Sequence, residues 1–585
     1  MNYSSELQIL ILLAHLKARG VRKIIASPGT TNMNFVLSCQ ADPFFEVYSS
    51  VDERSASYIA VGLSHESGEP VVLSCTGATA SRNYLPGITE AYYRNLPIIA
   101  VTSSQSLTRV GMNVAQVIDR SVQPNDTYKL SFVMDRVLDD EDEAHLHNRM
   151  NQMWFQIATN PGPIHINLVT YYSDDFNTKE LPTPRIINFI NADSMKPLLK
   201  PGKIAIHIKS GVRIGDEENS LIDQFCEAYD AIVIGDHTSP YTGKYKVLNA
   251  LVSSQSVIDE KLIPMQIIQI GDITGDYSVS SLYRKANLWR VDGLSNLIKT
   301  NESIEYFFNI NLSTFFTYYL DHMREQNVTL NNTFYNDWIS ELSRLLDLIP
   351  ELPLSNIWIA HQSHDKIPLN SRVHLGILNT LRSWNLFVID QSVKAISNVG
   401  GFGIDGNLSS FIGASLFSPN TLFYGIFGDL AFFYDMNSMG NREIRNNLRI
   451  ILINNGTGTE FKNFNHRASN FDSDKFVAAK GHFGNKSNVL VKSYSESLGF
   501  DYFAVNNKRD FEEIKGALFS PDAREKSIVV EIFVDEKDES LALELITNIN
   551  TGTYIQQTKN KLKRQITKSL GPENVKSIKK ALGRN

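Results

Sequence analysis

Thr421-Leu422-Phe423-Tyr424-Gly425-Ile426-Phe427-Gly428-Asp429-Leu430 is the stretch whose reading decides the fold. A short apolar run breaks at Gly-Asp and a helix-compatible segment follows. A second run, Arg449-Ile450-Ile451-Leu452-Ile453, then ends in Asn454-Asn455-Gly456-Thr457-Gly458. Bounded apolar runs of this length read as strands buried on both faces, as in a parallel sheet with crossover helices. The order strand, Gly-Asp, helix, strand, Asn-Asn-Gly places a carboxylate and a carboxamide at the carboxyl ends of two strands. That is the edge where open α/β sheets bind ligands. Magnesium takes hard oxygen ligands of this kind and completes its octahedron with phosphate oxygens and water. Gly-Asp or Asn-Asn alone is an ordinary turn. The ordered pair suits a diphosphate-bound Mg2+ with Asp429 and Asn455 as ligands.

The same pattern extends outward from this stretch. Lys23–Ala26, Pro70–Leu73, Pro97–Val101 and Pro163–Asn167 read as one series of buried strands. Lys203–Ile206, Ala231–Ile234, Gln266–Ile270 and Leu288–Val291 form a second, after a linker at Leu181-Pro182-Thr183-Pro184-Arg185. A third begins near Leu386-Phe387-Val388-Ile389 and ends with Ser527–Ile532, separated from the second by polar, helix-like sequence over 301–365. The class is α/β, with three doubly wound parallel-sheet domains.

Bulk properties exclude several functions. With 585 residues the chain exceeds what one core organises. A net charge of −7 gives no signature of nucleic-acid binding. No apolar run is long enough to span a bilayer. The start, Met-Asn-Tyr-Ser-Ser-Glu-Leu, lacks the pattern of a secretory signal, which predicts a cytoplasmic protein. Cys39, Cys75 and Cys226 are an odd, unclustered set and read as reduced structural thiols.

The Gly428-Asp429 to Asn454-Asn455 segment resembles the diphosphate-binding motif of thiamine-diphosphate enzymes. Leu430, where that motif usually has Gly, matches the SEPHCHC synthase subgroup of the menaquinone pathway. So do Leu430-Ala431-Phe432-Phe433-Tyr434-Asp435 and Ser397-Asn398-Val399-Gly400-Gly401-Phe402-Gly403-Ile404-Asp405-Gly406. The resemblance spans about residues 5–540. It implies a pyrimidine-binding domain at 1–180, a central domain at 186–345, a diphosphate-binding domain at 350–540 and a basic helical tail at 541–585. Thiamine diphosphate and Mg2+ are the implied cofactors. Asp429, Asn455 and the Thr457 carbonyl would hold the metal, and Gly403, Asp405, Gly428, Leu430 and Ala431 the cofactor. Ile404 would prop the cofactor into its bent form.

From the first domain, Glu53 in Ser49-Ser50-Val51-Asp52-Glu53-Arg54 matches the glutamate that hydrogen-bonds the aminopyrimidine ring and so activates the cofactor. Burial against the cofactor would favour its neutral acid. An acidic residue at a helix start also serves simply as a cap. Thr76 and Gly77 match the pyrimidine-side loop, and Gln116 and Asn113 match groups at the reacting centre. The family places its cofactor between the first domain of one subunit and the third of another, which implies a homodimer or homotetramer.

The subgroup binds 2-oxoglutarate and isochorismate through arginines, whose planar forks suit carboxylates. Here Thr31, Gln105 and Val399 stand at three of those positions, and Arg382 is the one that plausibly remains. Thr30, Thr31, Gln105, Arg382 and Phe461 are the candidate substrate contacts. Losing three charge-assisted bonds, each worth roughly 1.5–3 kcal/mol, predicts the same chemistry on another substrate pair. That chemistry is decarboxylation of a 2-oxoacid donor and carboligation to an unidentified acceptor. The alternatives are SEPHCHC synthesis itself, a simple decarboxylase or acetolactate-synthase-like enzyme, and a silent scaffold of the same fold.

Residues 559–584 carry nine Lys or Arg against Glu573 alone, with apolar faces Leu562, Ile566, Leu570 and Val575, Ile578, Leu582. Such helices suit an anionic membrane surface or packing on their own protein. This tail suggests peripheral membrane contact and a context of surface-polysaccharide or specialised-metabolite synthesis.

Overall fold

The structure is a computed structural model and describes residues 2–292, 304–326, 332–482, 488–522 and 524–551. The chain divides into two compact units, Met1–Ser194 with Leu294–Asn309, and Met195–Gly293 with Ile310–Asn585. The residues that carry the tail motif, 559–584, lie outside the described residues.

In the first unit, β1 (Lys23–Ala26), β2 (Glu46–Ser49), β3 (Val71–Thr76), β4 (Ile98–Ser104), β5 (Leu130–Met134) and β6 (Ile164–Val169) form a parallel sheet ordered β2-β1-β3-β4-β6-β5. Successive side chains leave a strand on opposite faces, so an all-apolar strand must be covered twice. Ile24, Val72, Ile99 and Ile166 face one core with the helices Leu7–Ala18 and Asp140–Thr159. Ile25, Val71, Leu73 and Ala100 face another with the helices Glu53–Ser67 and Leu85–Tyr93. The same unit pairs β7 (Asn188–Ile190) in parallel with a later strand, Ile304–Phe308.

The second unit holds β8 (Ile204–Ile208), β9 (Ala231–Gly235), β10 (Lys246–Leu248), β11 (Gln266–Ile270) and β12 (Asn287–Val291), ordered β10-β9-β8-β11-β12. With Ile304–Phe308 as β13, a further six strands follow. They are β14 (Arg372–Leu375), β15 (Lys394–Ile396), β16 (Phe423–Gly428), β17 (Leu448–Asn454), β18 (Asp501–Val505) and β19 (Ile528–Phe533). Their order, β15-β14-β16-β17-β19-β18, repeats that of the first sheet strand for strand. All recorded pairings in the three sheets are parallel, as the apolar runs require.

Leu386-Phe387-Val388-Ile389 is not a strand. It turns after the helix Asn379–Trp384, with Leu386, Phe387 and Ile389 buried, so it reads as apolar for packing alone. The third sheet begins earlier, at β14. The helix Glu536–Thr547 crosses residue 540, and the segment continuing from it packs on the central strands' unit. Gln255 Nε2 donates to the Ile546 carbonyl at 2.7 Å and Asn550 Nδ2 to the Val257 carbonyl at 3.1 Å. Cys39, Cys75 and Cys226 are free and buried, and burial pushes the Cys75 thiol up to about 12. Among the described residues no helix is long and apolar enough to cross a membrane.

Candidate active site

The strand order reverses direction between β14 and β16, and Asp429 follows β16 directly while Asn455 follows β17. Crevices at such reversals are where doubly wound sheets bind ligands. Asp429 is 2% exposed, and its Oδ1 accepts the Leu430 N–H at 2.7 Å. Its Oδ2 accepts the Gly456 N–H at 2.6 Å and faces His482 Nε2 at 3.0 Å. The Gly456 bond fixes the end of β16 to the turn after β17, so Asp429 and the Asn455-Gly456-Thr457 loop share one edge. Asn455 Oδ1 accepts the Thr457 N–H at 3.2 Å, and Thr457, 2% exposed, donates its hydroxyl to the Ala478 carbonyl at 3.0 Å.

Two buried glutamates support this edge. Glu531, on β19, accepts Asn454 Nδ2 and the Tyr502 hydroxyl, each at 2.7 Å. Burial raises its carboxyl above the usual range, with the charge of Asp429 adding to the effect and the two hydrogen bonds opposing it. Glu539, 6% exposed, accepts the Asn356 N–H at 3.2 Å, and Asn455 Nδ2 donates to the Thr459 hydroxyl at 3.3 Å. Burial pushes Glu539 up to about 7.

Upstream, Gly403, Ile404 and Asp405 form a turn that Asn407 secures by donating from Nδ2 to the Gly403 and Ile404 carbonyls at 3.3 and 2.7 Å. Gly406 has a φ of +71°, a left-handed conformation that glycine adopts without strain. A Cβ on Gly428 would meet nothing within 4 Å. Ala431 is buried one turn into the helix Asp429–Asp435, which Leu430 also enters.

Arg382 is committed within the protein. Its Nη1 lies 2.6 and 2.7 Å from the two Glu460 oxygens, and its guanidinium sits 4.9 Å from the Tyr277 ring centre. Phe461 is half-buried beside His466. Val399 is 5% exposed.

In the first unit the reversal falls between β1 and β3. Thr30 and Thr31 follow β1, and Thr76 and Gly77 end β3. Thr30 is exposed, whereas Thr31 is buried and donates its hydroxyl to the Ser103 carbonyl at 2.6 Å. A Cβ on Gly29 would overlap the Thr76 side chain, so the β1 and β3 loops touch through a residue without one. Among the described residues, Thr76 Oγ1 and Ser103 Oγ are buried with no hydrogen-bond partner, an arrangement that buried hydroxyls seldom keep unless a ligand or water meets them.

Asp52 caps the helix Glu53–Ser67, accepting from Arg54 N–H at 2.9 Å. Capping therefore falls to Asp52, and half-buried Glu53 has no ion pair or hydrogen bond recorded among the described residues. Asn113 and Gln116 are exposed and hold φ of +55° and +63°. Positive φ is costly for residues with a Cβ and concentrates at functional loops. Gln105 donates to the Tyr172 hydroxyl at 3.2 Å and accepts from Arg109.

Sequence reasoning missed His482, Glu531, Glu539 and Arg120. Arg120 is 3% exposed, donates to Thr102 Oγ1 at 2.7 Å and to Asn167, and has no carboxylate partner among the described residues. Burial pushes it down to about 10. Its guanidinium occupies the space a Cβ on Gly77 would need, so it ties the loop carrying Asn113 and Gln116 to the Thr76–Gly77 loop.

A carboxylate, a carboxamide and a carbonyl at one sheet edge fit Mg2+. The hydroxyls without partners at the other sheet's edge fit a heteroaromatic ring with polar substituents. Residues 10–123 match the family model for the thiamine pyrophosphate enzyme, N-terminal TPP binding domain. Three relatives share the name 2-succinyl-5-enolpyruvyl-6-hydroxy-3-cyclohexene-1-carboxylate synthase. That of Bacteroides fragilis is 26% identical over 95% of this chain and 100% of its own. That of Phocaeicola vulgatus is 28% identical over 93% and 98%, and that of Christiangramia forsetii 26% over 92% and 97%.

Proposed function

We propose, on the premise that this chain is a thiamine-diphosphate-dependent enzyme of a family close to these synthases, that it decarboxylates a 2-oxoacid donor and joins the remaining carbon unit to an acceptor, the pair being that of its named relatives. The observation that carries the reading is similarity over nearly the whole of both chains, which includes both sheet edges described above.

Thiamine diphosphate, when bound, would supply the electron sink for decarboxylation of a 2-oxoacid. Asp429, Asn455 and the Thr457 carbonyl would hold Mg2+, and Gly403, Asp405, Gly428, Leu430 and Ala431 would line the diphosphate end. Ile404 would pack against the cofactor. Glu53 would face the pyrimidine ring, beside Thr76 and Gly77. Gln116 and Asn113 would reach the reacting centre, where their fixed backbone conformations would reduce the ordering needed for reaction. The residue divisions 1–180, 186–345, 350–540 and 541–585, a homodimer or homotetramer, and a cytoplasmic location belong to the same proposal.

A second reading, the same chemistry on another substrate pair, is favoured by one observation. Thr31, Gln105 and Val399 lack a guanidinium, and Arg382 spends its charge on Glu460. Product analysis with Mg2+, thiamine diphosphate, 2-oxoglutarate and isochorismate separates the two. Efficient formation of the relatives' product supports the first. Decarboxylation of 2-oxoacids without that product supports the second, and no decarboxylation of any 2-oxoacid counts against both. The relatives reported above bear no polysaccharide name, and the tail behind that expectation lies outside the described residues. Its membrane contact is a separate proposal, tested by liposome co-sedimentation with and without residues 555–585.

A further inference from the structure

Of the described residues between Ser104 and Thr127, Arg120 alone is buried. That stretch joins β4 to β5 and carries Asn113 and Gln116, both exposed. Gly111, Asn113 and Gln116 hold φ of +81°, +55° and +63°. Left-handed backbone at residues with a Cβ persists only where the surroundings over-determine it, so a loop of this kind needs a tether. The tether lies at its downstream end. Arg82 Nη2 donates to the Asp119 carbonyl at 2.9 Å on the surface, and the next side chain, Arg120, enters the domain.

Arg120 reaches two strands. Nη1 donates to Thr102 Oγ1 on β4 at 2.7 Å, and Nη2 donates to Asn167 Oδ1 on β6. A guanidinium only donates. Thr102 therefore turns its own hydrogen to His165 Nε2, 2.8 Å away, and His165 Nδ1 gives its hydrogen to Ser131 Oγ at the same distance. The guanidinium also fills the place of a Cβ on Gly77, just after β3, so only glycine there admits it. Both acceptors of Arg120 are neutral. A buried guanidinium without a carboxylate is costly, and an apolar side chain of similar volume would serve packing at lower cost.

We infer that Arg120 is a positioning residue: it anchors the loop after β4 to the ends of β3, β4 and β6 and so holds Gln116 at the reacting centre. The inference rests on the proposed role of Gln116. A methionine at 120 would fill much of the same space but make none of the hydrogen bonds, leaving the loop without its buried anchor. A shift of about 1 Å in a reacting group, caused from a distance, costs up to about 10²-fold in rate.

The test compares the full-length wild type with Arg120→Met, Gln116→Ala and the double variant. Turnover is measured at saturating Mg2+ and thiamine diphosphate on whichever of pyruvate, 2-oxobutyrate and 2-oxoglutarate the wild type decarboxylates fastest. The thiamine diphosphate half-saturation, the thermal midpoint and hydrogen–deuterium exchange across residues 105–119 are measured in parallel. Arg120→Met is expected to lower kcat about 10- to 100-fold. Its half-saturation should stay within about threefold of wild type, because the loss falls on the reacting geometry. Exchange across 105–119 should quicken, and the midpoint should be unchanged or higher, since an uncompensated buried charge has been removed. The double variant should turn over within about twofold of Gln116→Ala, because a residue that acts through Gln116 has nothing left to position. Losses that multiply in the double variant overturn the inference. So does an unchanged kcat or unchanged exchange in Arg120→Met, or a kcat loss that follows a lowered midpoint. If Gln116→Ala keeps the wild-type kcat, the reading of Gln116 fails instead, while the exchange measurement still decides whether Arg120 anchors the loop.

Discussion

Arg382 and Glu460 form a two-point ion pair, with one guanidinium nitrogen 2.6 and 2.7 Å from the two carboxylate oxygens. A substrate carboxylate approaching Arg382 would meet a charge already compensated and a like charge beside it. Arg382→Ala should therefore change the donor KM by less than about threefold. A direct charge-assisted bond of roughly 1.5–3 kcal/mol would cost more than about tenfold. Steady-state kinetics on the purified variant decides between them, and a tenfold rise in KM would return Arg382 to the substrate site.

Asp52 takes the capping bonds at the first turn of the helix Glu53–Ser67, and Glu53 has no hydrogen bond or ion pair among the described residues. Glu53→Gln should retain cofactor binding while lowering turnover by about 10²- to 10⁴-fold, the usual worth of a positioned acid or base. Hydrogen–deuterium exchange at the cofactor's thiazolium carbon should slow in step. Exchange at the wild-type rate would remove Glu53 from the activation step.

Gln116 holds a φ of +63° on an exposed loop. Glycine adopts that conformation freely, so Gln116→Gly should relieve strain of roughly 1 kcal/mol and raise the thermal midpoint while lowering kcat. A variant that loses both stability and activity would show that the side chain serves packing.

His165 is 1% exposed between the hydroxyls of Thr102 and Ser131, each 2.8 Å from a ring nitrogen, and burial pushes it down to about 3. Its unfolded value is about 6.5. Between these values the unfolded chain binds a proton that the folded chain refuses. The stability that neutral His165 confers is therefore full above about pH 6.5 and lost as pH falls towards 3. The slope is on the order of 1.4 kcal/mol per pH unit. His165→Asn should shrink the fall in thermal midpoint between pH 7 and pH 5. An undiminished fall would place the acid sensitivity elsewhere.

Strands such as β3, β4, β16 and β17 were legible because a strand covered on both faces must be apolar throughout, and its ends carried the turn residues that became site positions. Leu386–Ile389 has the same apolar character for another reason, burial of a turn, and composition does not separate the two. β14 and β15, Arg372–Leu375 and Lys394–Ile396, are short and partly polar, so nothing in their pattern announced them. The motif at Asp429 and Asn455 was readable because its spacing is local. Glu531 lies 77 residues from the Asn454 it binds, His482 lies 53 from Asp429, and Glu460 lies 78 from Arg382. Such pairings come from the tertiary arrangement of the sheet, and a single chain carries no periodic trace of them. For the same reason Arg382 read as available for substrate.

The claim on which the rest depends is that Asp429 and the Asn455-Gly456-Thr457 loop form one metal-dependent diphosphate site. Calorimetric titration of thiamine diphosphate into metal-stripped protein, with and without Mg2+, for wild type, Asp429→Ala and Asn455→Ala, tests it most directly. Tight binding by wild type only with Mg2+, weakened at least about tenfold in both variants, is the predicted result. Binding by wild type that ignores Mg2+, or by Asp429→Ala with unchanged affinity, would contradict it.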